Sequence, residues 1–157
     1  MIWAILLLIL VFVIGATMPN TEVSSEELRV AQLKVQANRK YLEEMDPRKF
    51  EYVVADLFRS IGYKAQVTSG SNDGGKDIIL HKGNEVKYVE VKRYTKGTIG
   101  RPFIQKLHSA IVDTEAVGGY FVTLSNFNKN ARQYAANKNI ELIDGDALIH
   151  MMNSKPM

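Results

Sequence analysis

The sequence contains no cysteine, so the chain can form neither a disulfide framework nor a zinc site with thiolate ligands. The redox compartment therefore stays undetermined. Histidine is also scarce: His81, His108 and His150 are the only ones, and they lack the spacing of metal ligands. We interpret each as a surface or boundary residue. The formal net charge of +3 is mildly basic and by itself is weak evidence for a nucleic-acid partner.

Charge is absent from residues 1–18, MIWAILLLILVFVIGATM. An apolar stretch of this length is just long enough to span a hydrocarbon core as a helix, and Trp3 suits a membrane interface. We therefore predict an uncleaved, single-pass transmembrane anchor. A cleaved secretory signal is the rival interpretation, but no basic residue precedes the stretch and only Gly15-Ala16-Thr17 resembles a cleavage site. The third interpretation is a helix buried in the protein core, although such helices are normally amphipathic.

The chain of 157 residues predicts one compact domain with appendages. Basic residues follow the anchor at Arg29 and Lys34 but do not precede it, and this bias predicts that the main domain lies in the cytoplasm. We divide the chain into the anchor 1–18, a helical linker 19–45, the main domain 46–152 and a tail 153–157.

The linker begins with a capping box, in which Ser24 and Glu27 can satisfy each other's backbone N–H groups. Apolar residues then follow at heptad-like spacing. This pattern predicts a spacer helix or a helix packed on the main domain, and a homodimer contact is the alternative. The apolar positions are Leu28, Ala31, Val35, Leu42 and Met45.

The main domain opens with a helix signal. Asp46 is a typical N-cap, Pro47 a typical first helical residue and Gly62 a typical stop. Glu51 borders the apolar face of this helix. It is either an additional metal or water ligand over the neighbouring strands, or a half-exposed glutamate favoured by the helix dipole. The predicted apolar face comprises Phe50, Val53, Val54, Leu57, Phe58 and Ile61.

A strand from Tyr63 to Thr68 and a polar, glycine-rich loop over residues 69–76 come next. The loop is not a P-loop, because the G-x-x-x-x-G-K-[ST] spacing is missing and a strand follows it. Asp73 within the loop is interpreted as a turn residue, with a helper carboxylate as the alternative.

Residues 77–93 carry the charges around which the main domain is organised. Both halves of this stretch have strand composition, and the polar segment His81-Lys82-Gly83-Asn84-Glu85 between them predicts an antiparallel hairpin. Because side chains alternate along a strand, Glu90 and Lys92 point to one face while Val89 and Val91 point to the other. Asp77 opens the first strand and can reach the charged face.

Two carboxylates and an ammonium group at one sheet edge are unfavourable without compensation. A divalent hard cation held by Asp77 and Glu90 would supply it. This set suits phosphodiester hydrolysis, since the cation would lower the pKa of a bound water and Lys92 would orient that water or stabilise the transition state. The alternative is an exposed hairpin with ordinary surface charges.

Basic residues are concentrated in residues 92–101, directly after the charged strand. Arg93, Lys96 and Arg101 are predicted to bind backbone phosphates of DNA, without reading its sequence. A solvated loop is the alternative interpretation.

The rest of the main domain alternates helices with strands, and its last strand–helix–strand unit predicts a parallel crossover. Gly118-Gly119 is predicted to break the chain and Ser125-Asn126 to start a helix. The predicted elements are a helix from Arg101 to Ala116, whose buried face includes Phe103 and Thr114, a buried strand from Tyr120 to Leu124, a strand from Ile140 to Ile143, and a helix from Ala147 to Met152.

An ordered set of motifs over residues 46–152 resembles the Mrr-like type IV restriction endonuclease catalytic domain, of the PD-(D/E)xK nuclease superfamily. The motifs are Phe50-Glu51, Leu57-Phe58, Gly62-Tyr63, Val67-Thr68, Asp73-Gly74-Gly75-x-Asp77, Val89-Glu90-Val91-Lys92-Arg93-Tyr94, Ile99-Gly100, Phe121-Val122-Thr123 and Ile140-Glu141-Leu142-Ile143-Asp144-Gly145. The resemblance implies an α/β fold with a restriction-endonuclease-like mixed central sheet flanked by helices, here preceded by one transmembrane helix and a helical linker.

The same resemblance implies the roles of the site residues. Asp77 and Glu90 are the expected metal ligands, with Val91, which lies between Glu90 and Lys92, as a further ligand. Lys92 is the expected catalytic lysine, and Glu51 is auxiliary.

The predicted function is that of a membrane-anchored DNA endonuclease that depends on Mg²⁺, with Mn²⁺ as a substitute, and acts on modified or foreign DNA. The first alternative is a catalytically silent module of nuclease-like fold that binds nucleic acid or a protein partner. The second alternative is a structural membrane protein with an α/β domain, but this alternative does not explain the basic loop beside the acidic pair.

Overall fold

The computed structural model describes residues 24–36, 39–69 and 75–154. The predicted anchor over residues 1–18, Asp73 and most of the glycine-rich loop lie outside these ranges. In chain order the described elements are α1 (Ser25–Gln36), α2 (Arg39–Glu44), α3 (Pro47–Ser60), β1 (Lys64–Val67), β2 (Ile78–Lys82), β3 (Glu85–Lys92), β4 (Thr98–Ile99), α4 (Arg101–Val112), β5 (Gly118–Thr123), β6 (Asn126–Phe127), α5 (Lys129–Ala135), β7 (Ile140–Ile143) and α6 (Gly145–Asn153).

Five strands form a mixed central sheet in the order β1-β2-β3-β5-β7. The β1–β2 and β2–β3 pairs are antiparallel, whereas β3–β5 and β5–β7 are parallel. The predicted hairpin and the predicted parallel crossover are therefore both confirmed. The hairpin turn is tighter than expected, because only Gly83 and Asn84 separate the two strands. Gly83 has a φ of 59°, a conformation that glycine adopts without steric cost.

Helices cover both faces of the sheet and create two apolar cores. Val89 and Val91 point into the core beneath α3 and α6, together with Phe50 and Phe58 of α3. Tyr88 and Phe121 point into the opposite core, beneath α4 and α5. The alternation along β3 is thus the one predicted, and it directs Glu90 and Lys92 away from the α3 core.

The helix α3 agrees closely with its sequence signals. The Asp46 side chain accepts hydrogen bonds from the backbone N–H groups of Arg48 and Lys49, and Pro47 is the first helical residue. Gly62 follows the helix with a φ of 96°, as a C-terminal stop requires. The exception is Ile61, which is 39% exposed rather than part of the buried face.

The linker helix α1 packs on the main domain against α3 and α6. Its capping box is confirmed, since the Ser24 N–H donates to Glu27 and the Glu27 N–H donates to Ser24 Oγ. The heptad-like face is wrong in α1, although Leu42 of α2, another of its positions, is buried. Leu28 is 55% exposed, whereas Val30 and Leu33 are buried. Packing against one domain surface selects a different stripe of the helix from the one that a coiled coil would bury.

Three predictions in the C-terminal half need correction. Gly118-Gly119 does not break the chain but begins β5, where a Cβ on Gly119 would lie 2.6 Å from the carbonyl oxygen of Tyr88. Ser125-Asn126 does not start a helix, because Asn126 begins β6, which pairs with β4 in a separate two-stranded sheet. The helix after Gly100 ends at Val112 rather than at Ala116, and Phe103 and Thr114 are not buried in its apolar face.

Within the described residues, no helix has both the length and the apolarity needed to cross a bilayer. The predicted transmembrane segment falls on residues that the structure does not describe.

Candidate active site

The sheet topology brings Asp77, Glu90 and Lys92 to one edge. Because β2 runs antiparallel to β3, the start of β2 lies beside the end of β3, and Ile78 pairs with Val89. Asp77 immediately precedes Ile78, and its N–H donates to the Val89 carbonyl over 2.7 Å. The edge is also the carboxyl end of β3, β5 and β7, where ligand sites of parallel α/β sheets are commonly found.

The Asp77 carboxylate is held by the backbone of the charged strand. Its Oδ2 accepts a 2.7 Å hydrogen bond from the Val91 N–H. The pKa of Asp77 is raised to about 6, chiefly by burial and then by the nearby Glu90 carboxylate, against the opposing effects of the Val91 N–H and Lys92. The metal-free site therefore makes the ionised form of Asp77 less favourable than it is in water, and a bound cation would relieve this electrostatic cost.

Glu90 is a buried carboxylate with a single strong partner. The residue is only 3% exposed, and its Oε1 lies 2.7 Å from Lys92 Nζ. Burial opposes the charge on Lys92, but the hydrogen bond to Glu90 and the negative charges of Glu90 and Asp77 outweigh it and raise the pKa of Lys92. Lys92 is therefore a cation at neutral pH, held at the carboxylate edge.

The donor set fits a small divalent cation that prefers oxygen. Asp77 and Glu90 offer carboxylate oxygens, and Val91 can offer only its main-chain carbonyl, since its side chain is apolar and directed into the α3 core. Among the described residues no group of three or more His, Cys, Asp or Glu side chains is arranged to hold a metal ion. Mg²⁺ is commonly bound by one or two carboxylates, waters and substrate phosphates, so a pair of carboxylates is a sufficient protein contribution.

Glu51 lies in a cleft that Lys92 also lines, although Asp77 and Glu90 are not among its lining residues. The cleft has a volume of about 220 Å³ and is lined by Pro47, Glu51, Val91, Lys92, Arg93 and Tyr94. The Glu51 side chain is 17% exposed, and its charge contributes to the raised pKa of Asp77. Glu51 of α3 thus adds a third acidic group to the electrostatic field of the site.

Arg48 holds Glu51 in this position, a role that the sequence did not reveal. One guanidinium nitrogen lies 2.5 Å from Glu51 Oε2, and the other donates to the Thr68 carbonyl. Thr68 in turn donates its N–H to the Asp77 carbonyl over 2.9 Å. Arg48 therefore connects the acidic residue of α3 to the segment that carries Asp77. The spacing of Arg48 and Glu51, three apart on a helix, was the one available signal.

The three predicted DNA-binding residues occupy different environments. Arg93 donates to the Glu43 carbonyl of α2, and its buried Nε has no hydrogen-bond partner in the described part of the chain. Lys96 is exposed in the loop before β4. Arg101 is exposed at the start of α4, with its guanidinium carbon 4.8 Å from the centre of the Tyr134 ring. Lys96 and Arg101 are thus accessible to a ligand, whereas Arg93 is used to join the linker to β3.

The mixed sheet between two helical layers is the fold expected of a restriction-endonuclease-like domain, and it brings Asp77, Glu90 and Lys92 to one edge. The Mrr_cat family model, described as a restriction endonuclease, matches residues 42–152. The chain therefore belongs to the Mrr_cat restriction endonuclease family, and the resemblance inferred from the motifs is confirmed.

The relatives agree with this assignment. The chain is 37% identical over 120 residues to the type IV methyl-directed restriction enzyme EcoKMrr of Escherichia coli (strain K12), an alignment that covers 71% of this chain and 39% of that protein. The chain therefore spans well under half the length of this curated relative.

Two solved structures share the fold. The DNA modification-dependent restriction endonuclease AspBHI has a TM-score of 0.58 at 19% identity, covering 81% of this chain and 35% of that chain. The MspJI restriction endonuclease, solved in complex with a 27-mer oligonucleotide, has a TM-score of 0.52 at 18% identity, covering 83% of this chain and 32% of that chain. These likenesses support the predicted mixed sheet flanked by helices.

Proposed function

We propose that the chain is a metal-dependent DNA endonuclease that hydrolyses phosphodiester bonds at the edge formed by Asp77, Glu90 and Lys92. The observation that carries the proposal is the ion pair between buried Glu90 and Lys92, 2.7 Å apart, beside an Asp77 whose pKa is raised by burial and by Glu90. A binding protein has no need of two mutually repelling carboxylates where a phosphate must approach. Membership of the Mrr_cat family supports the same conclusion.

The proposed cofactor is Mg²⁺, with Mn²⁺ as a substitute, and its ligands are Asp77, Glu90 and the Val91 carbonyl. When bound, the cation would neutralise phosphate charge and supply a water of lowered pKa. The Val91 N–H fixes one Asp77 oxygen, which leaves the other free for the cation. Lys92 is protonated and places its ammonium group toward the phosphate, where it orients the attacking water or stabilises the developing charge. Glu51 acts as an auxiliary carboxylate whose position Arg48 maintains.

The proposed substrate is modified or foreign DNA, bound through Lys96 and Arg101, with Arg93 as a third basic residue. One site cuts one strand at a time, so a double-strand cut requires a homodimer or a second binding event.

The proposed location is the membrane, with residues 1–18 as a single-pass anchor and residues 46–152 in the cytoplasm. The uncharged sequence of residues 1–18 and the basic residues that follow it support this part of the proposal.

Plasmid cleavage tests the proposed activity. Full-length protein in mild detergent is incubated with supercoiled plasmid, methylated or unmethylated, with Mg²⁺, Mn²⁺ or EDTA. The expected result is metal-dependent nicking by the parent and no nicking by Asp77→Ala. Asp113→Ala, which removes an exposed carboxylate at the end of α4, is the matched control and keeps the activity. Persistent nicking by Asp77→Ala contradicts the site assignment, whereas DNA binding by the parent without cleavage of either plasmid favours the silent binding module.

A further inference from the structure

An exposed aromatic pair lies beside the cleft that Glu51 and Lys92 line, and Tyr94 is the member of the pair that lines it. Tyr94 is 46% exposed and Phe103 is 36% exposed, and their rings meet edge to face with centroids 6.0 Å apart. Among the described residues this is the one aromatic contact whose two rings are both exposed. Such surface is normally buried in a core or used in binding.

The backbone fixes the position of Tyr94 relative to the catalytic lysine. The Tyr94 N–H donates to the Lys92 carbonyl over 2.7 Å, so the chain turns tightly just after the end of β3. Tyr94 then lines the same cleft as Lys92 and Glu51. A group that contacts Tyr94 therefore lies in the cleft that Lys92, the proposed catalytic lysine, also lines.

The loop that carries Tyr94 is tied to the domain on both sides of the ring. Arg93, before it, donates to the Glu43 carbonyl. Gly97, after it, accepts a hydrogen bond from the buried Ser125 through its carbonyl. The backbone that carries Tyr94 is consequently held at both ends, and binding a ligand on it requires little additional ordering of the loop.

The segment that carries the pair is basic in sequence, which suits a polyanionic ligand. Residues 91–112 contain Lys92, Arg93, Lys96, Arg101 and Lys106 and no aspartate or glutamate. Aromatic side chains within a basic surface are the usual arrangement for single-stranded nucleic acid, because phosphates bind the cations while unstacked bases bind the rings. An apolar protein surface would not require this excess of positive charge.

We propose that Tyr94 and Phe103 stack against an unpaired base next to the scissile phosphate, an inference that rests on the proposed function. The substrate class is then DNA whose bases are locally unstacked, such as a single strand or a duplex with a mismatch or gap, rather than intact duplex. Intact duplex keeps its bases in the stack and offers only phosphates to this surface, so it gains nothing from the ring pair.

Binding measurements without catalysis test this inference. Full-length protein in EDTA, so that no strand is cut, is titrated into a fluorescent single strand, the matched duplex and the same duplex with a mismatch. The parent is expected to bind the single strand and the mismatched duplex more tightly than the matched duplex. Tyr94→Ala should weaken the first two by roughly 5- to 150-fold, the range for loss of one base-stacking aromatic, with little change for the matched duplex.

Two further variants separate stacking from a structural effect. Tyr94→Phe keeps the ring and should bind like the parent, and Phe103→Leu should weaken binding in the same selective way as Tyr94→Ala. Tyr41→Ala is the matched control, because it removes a tyrosine that is 52% exposed on the linker helix α2. It should leave all three affinities unchanged. Circular dichroism of each variant checks that the fold is retained.

The results distinguish this inference from the proposed function. Equal weakening of all three DNAs by Tyr94→Ala, or no weakening of any, overturns the stacking role. A parent that binds no DNA at all overturns both proposals, and a pull-down that instead finds the ring pair bound by a protein assigns the surface to a protein partner. Selective loss of single-strand binding in a protein that never cuts DNA leaves the stacking surface standing and removes the nuclease assignment.

Discussion

The Asp77 carboxylate accepts a 2.7 Å hydrogen bond from the backbone N–H of Val91, and this contact joins the start of β2 to the end of β3. Val91 lies between Glu90 and Lys92, so the bond fixes one carboxylate against the strand that carries the second carboxylate and the lysine. The arrangement concentrates negative charge in a partly buried place. The electrostatic cost of this arrangement underlies the stability changes expected for substitutions of Asp77 and Lys92.

Replacement of Asp77 by asparagine should stabilise the metal-free protein at neutral pH. The pKa of Asp77 is raised from 3.8 to about 6 in the fold, so the folded state binds the proton more tightly than the unfolded state does. The stability that protonation contributes is complete below about pH 4 and is lost as the pH rises through about 6. Urea unfolding in EDTA at pH 7 should show a gain of about 1–2 kcal/mol for Asp77→Asn, reduced from the full linkage value because the carboxyl group is partly exposed.

The same measurement at lower pH serves as the control. At about pH 4 the parent carboxyl group is protonated in the fold, so the difference between parent and Asp77→Asn should nearly disappear. A gain that is the same at both pH values would mean that the variant acts through packing rather than through charge.

Removal of Lys92 should lower the free energy of unfolding, because Glu90 is buried and loses its ion-pair partner. Lys92→Ala leaves a carboxylate that is 3% exposed without its 2.7 Å partner, and a loss of about 1–3 kcal/mol of unfolding free energy is expected in EDTA. Addition of Glu90→Gln to Lys92→Ala should recover most of that loss, because the uncompensated charge disappears. A double-mutant cycle of urea unfolding curves measures the coupling. Additive effects of the two substitutions would show that the ion pair is unimportant to stability.

Arg48 and Glu51 should act as one unit. Arg48→Ala frees Glu51 from the guanidinium group that lies 2.5 Å away, and it also removes the bond to the Thr68 carbonyl. Turnover on plasmid DNA should fall by a similar factor in Arg48→Ala, in Glu51→Gln and in the double variant, and Arg48→Lys should recover part of it. Multiplicative losses in the double variant would show that Arg48 does not act through Glu51.

Lys96 and Arg93 should differ in their effects on DNA binding. Lys96 is exposed and free to meet a phosphate, so Lys96→Ala should weaken binding and lower the slope of log K against log salt by about one. Arg93 donates to the Glu43 carbonyl, so Arg93→Ala should chiefly lower the unfolding free energy and loosen α2 from β3. A lowered salt slope with unchanged stability in Arg93→Ala would show that its guanidinium group reaches the DNA instead.

Local signals in the sequence predicted the elements that support the site. Asp46, Pro47 and Gly62 define the ends of α3 because capping and φ preferences act within a few residues. The alternation along β3 placed Glu90 and Lys92 on one face because the strand has a period of two. The family motifs then indicated a mixed central sheet flanked by helices, and the structure confirms that part of the predicted architecture.

Contacts between distant segments could not be predicted in this way. The bond from Arg93 to Glu43 spans 50 residues, and β4 and β6 contribute two residues each to a pairing that has no local pattern. The buried face of α1 was also missed, because the domain surface and not the heptad spacing selects Val30 and Leu33 over Leu28. Tertiary packing determines all three, and a sequence pattern reports it only indirectly.

Asp77 and Glu90 are proposed to hold a divalent cation together, and a measurement of Mn²⁺ binding can show whether both carboxylates are needed. Mn²⁺ is titrated at pH 7.5 into the full-length parent, Asp77→Asn, Glu90→Gln and the control Asp113→Asn. The electron paramagnetic resonance signal of free Mn²⁺ reports how much of the metal stays unbound. The account predicts binding by the parent and the control, and loss of that binding in both site variants, with Mg²⁺ competing for the same site. Equal Mn²⁺ binding by all four proteins, or by none of them, would contradict it.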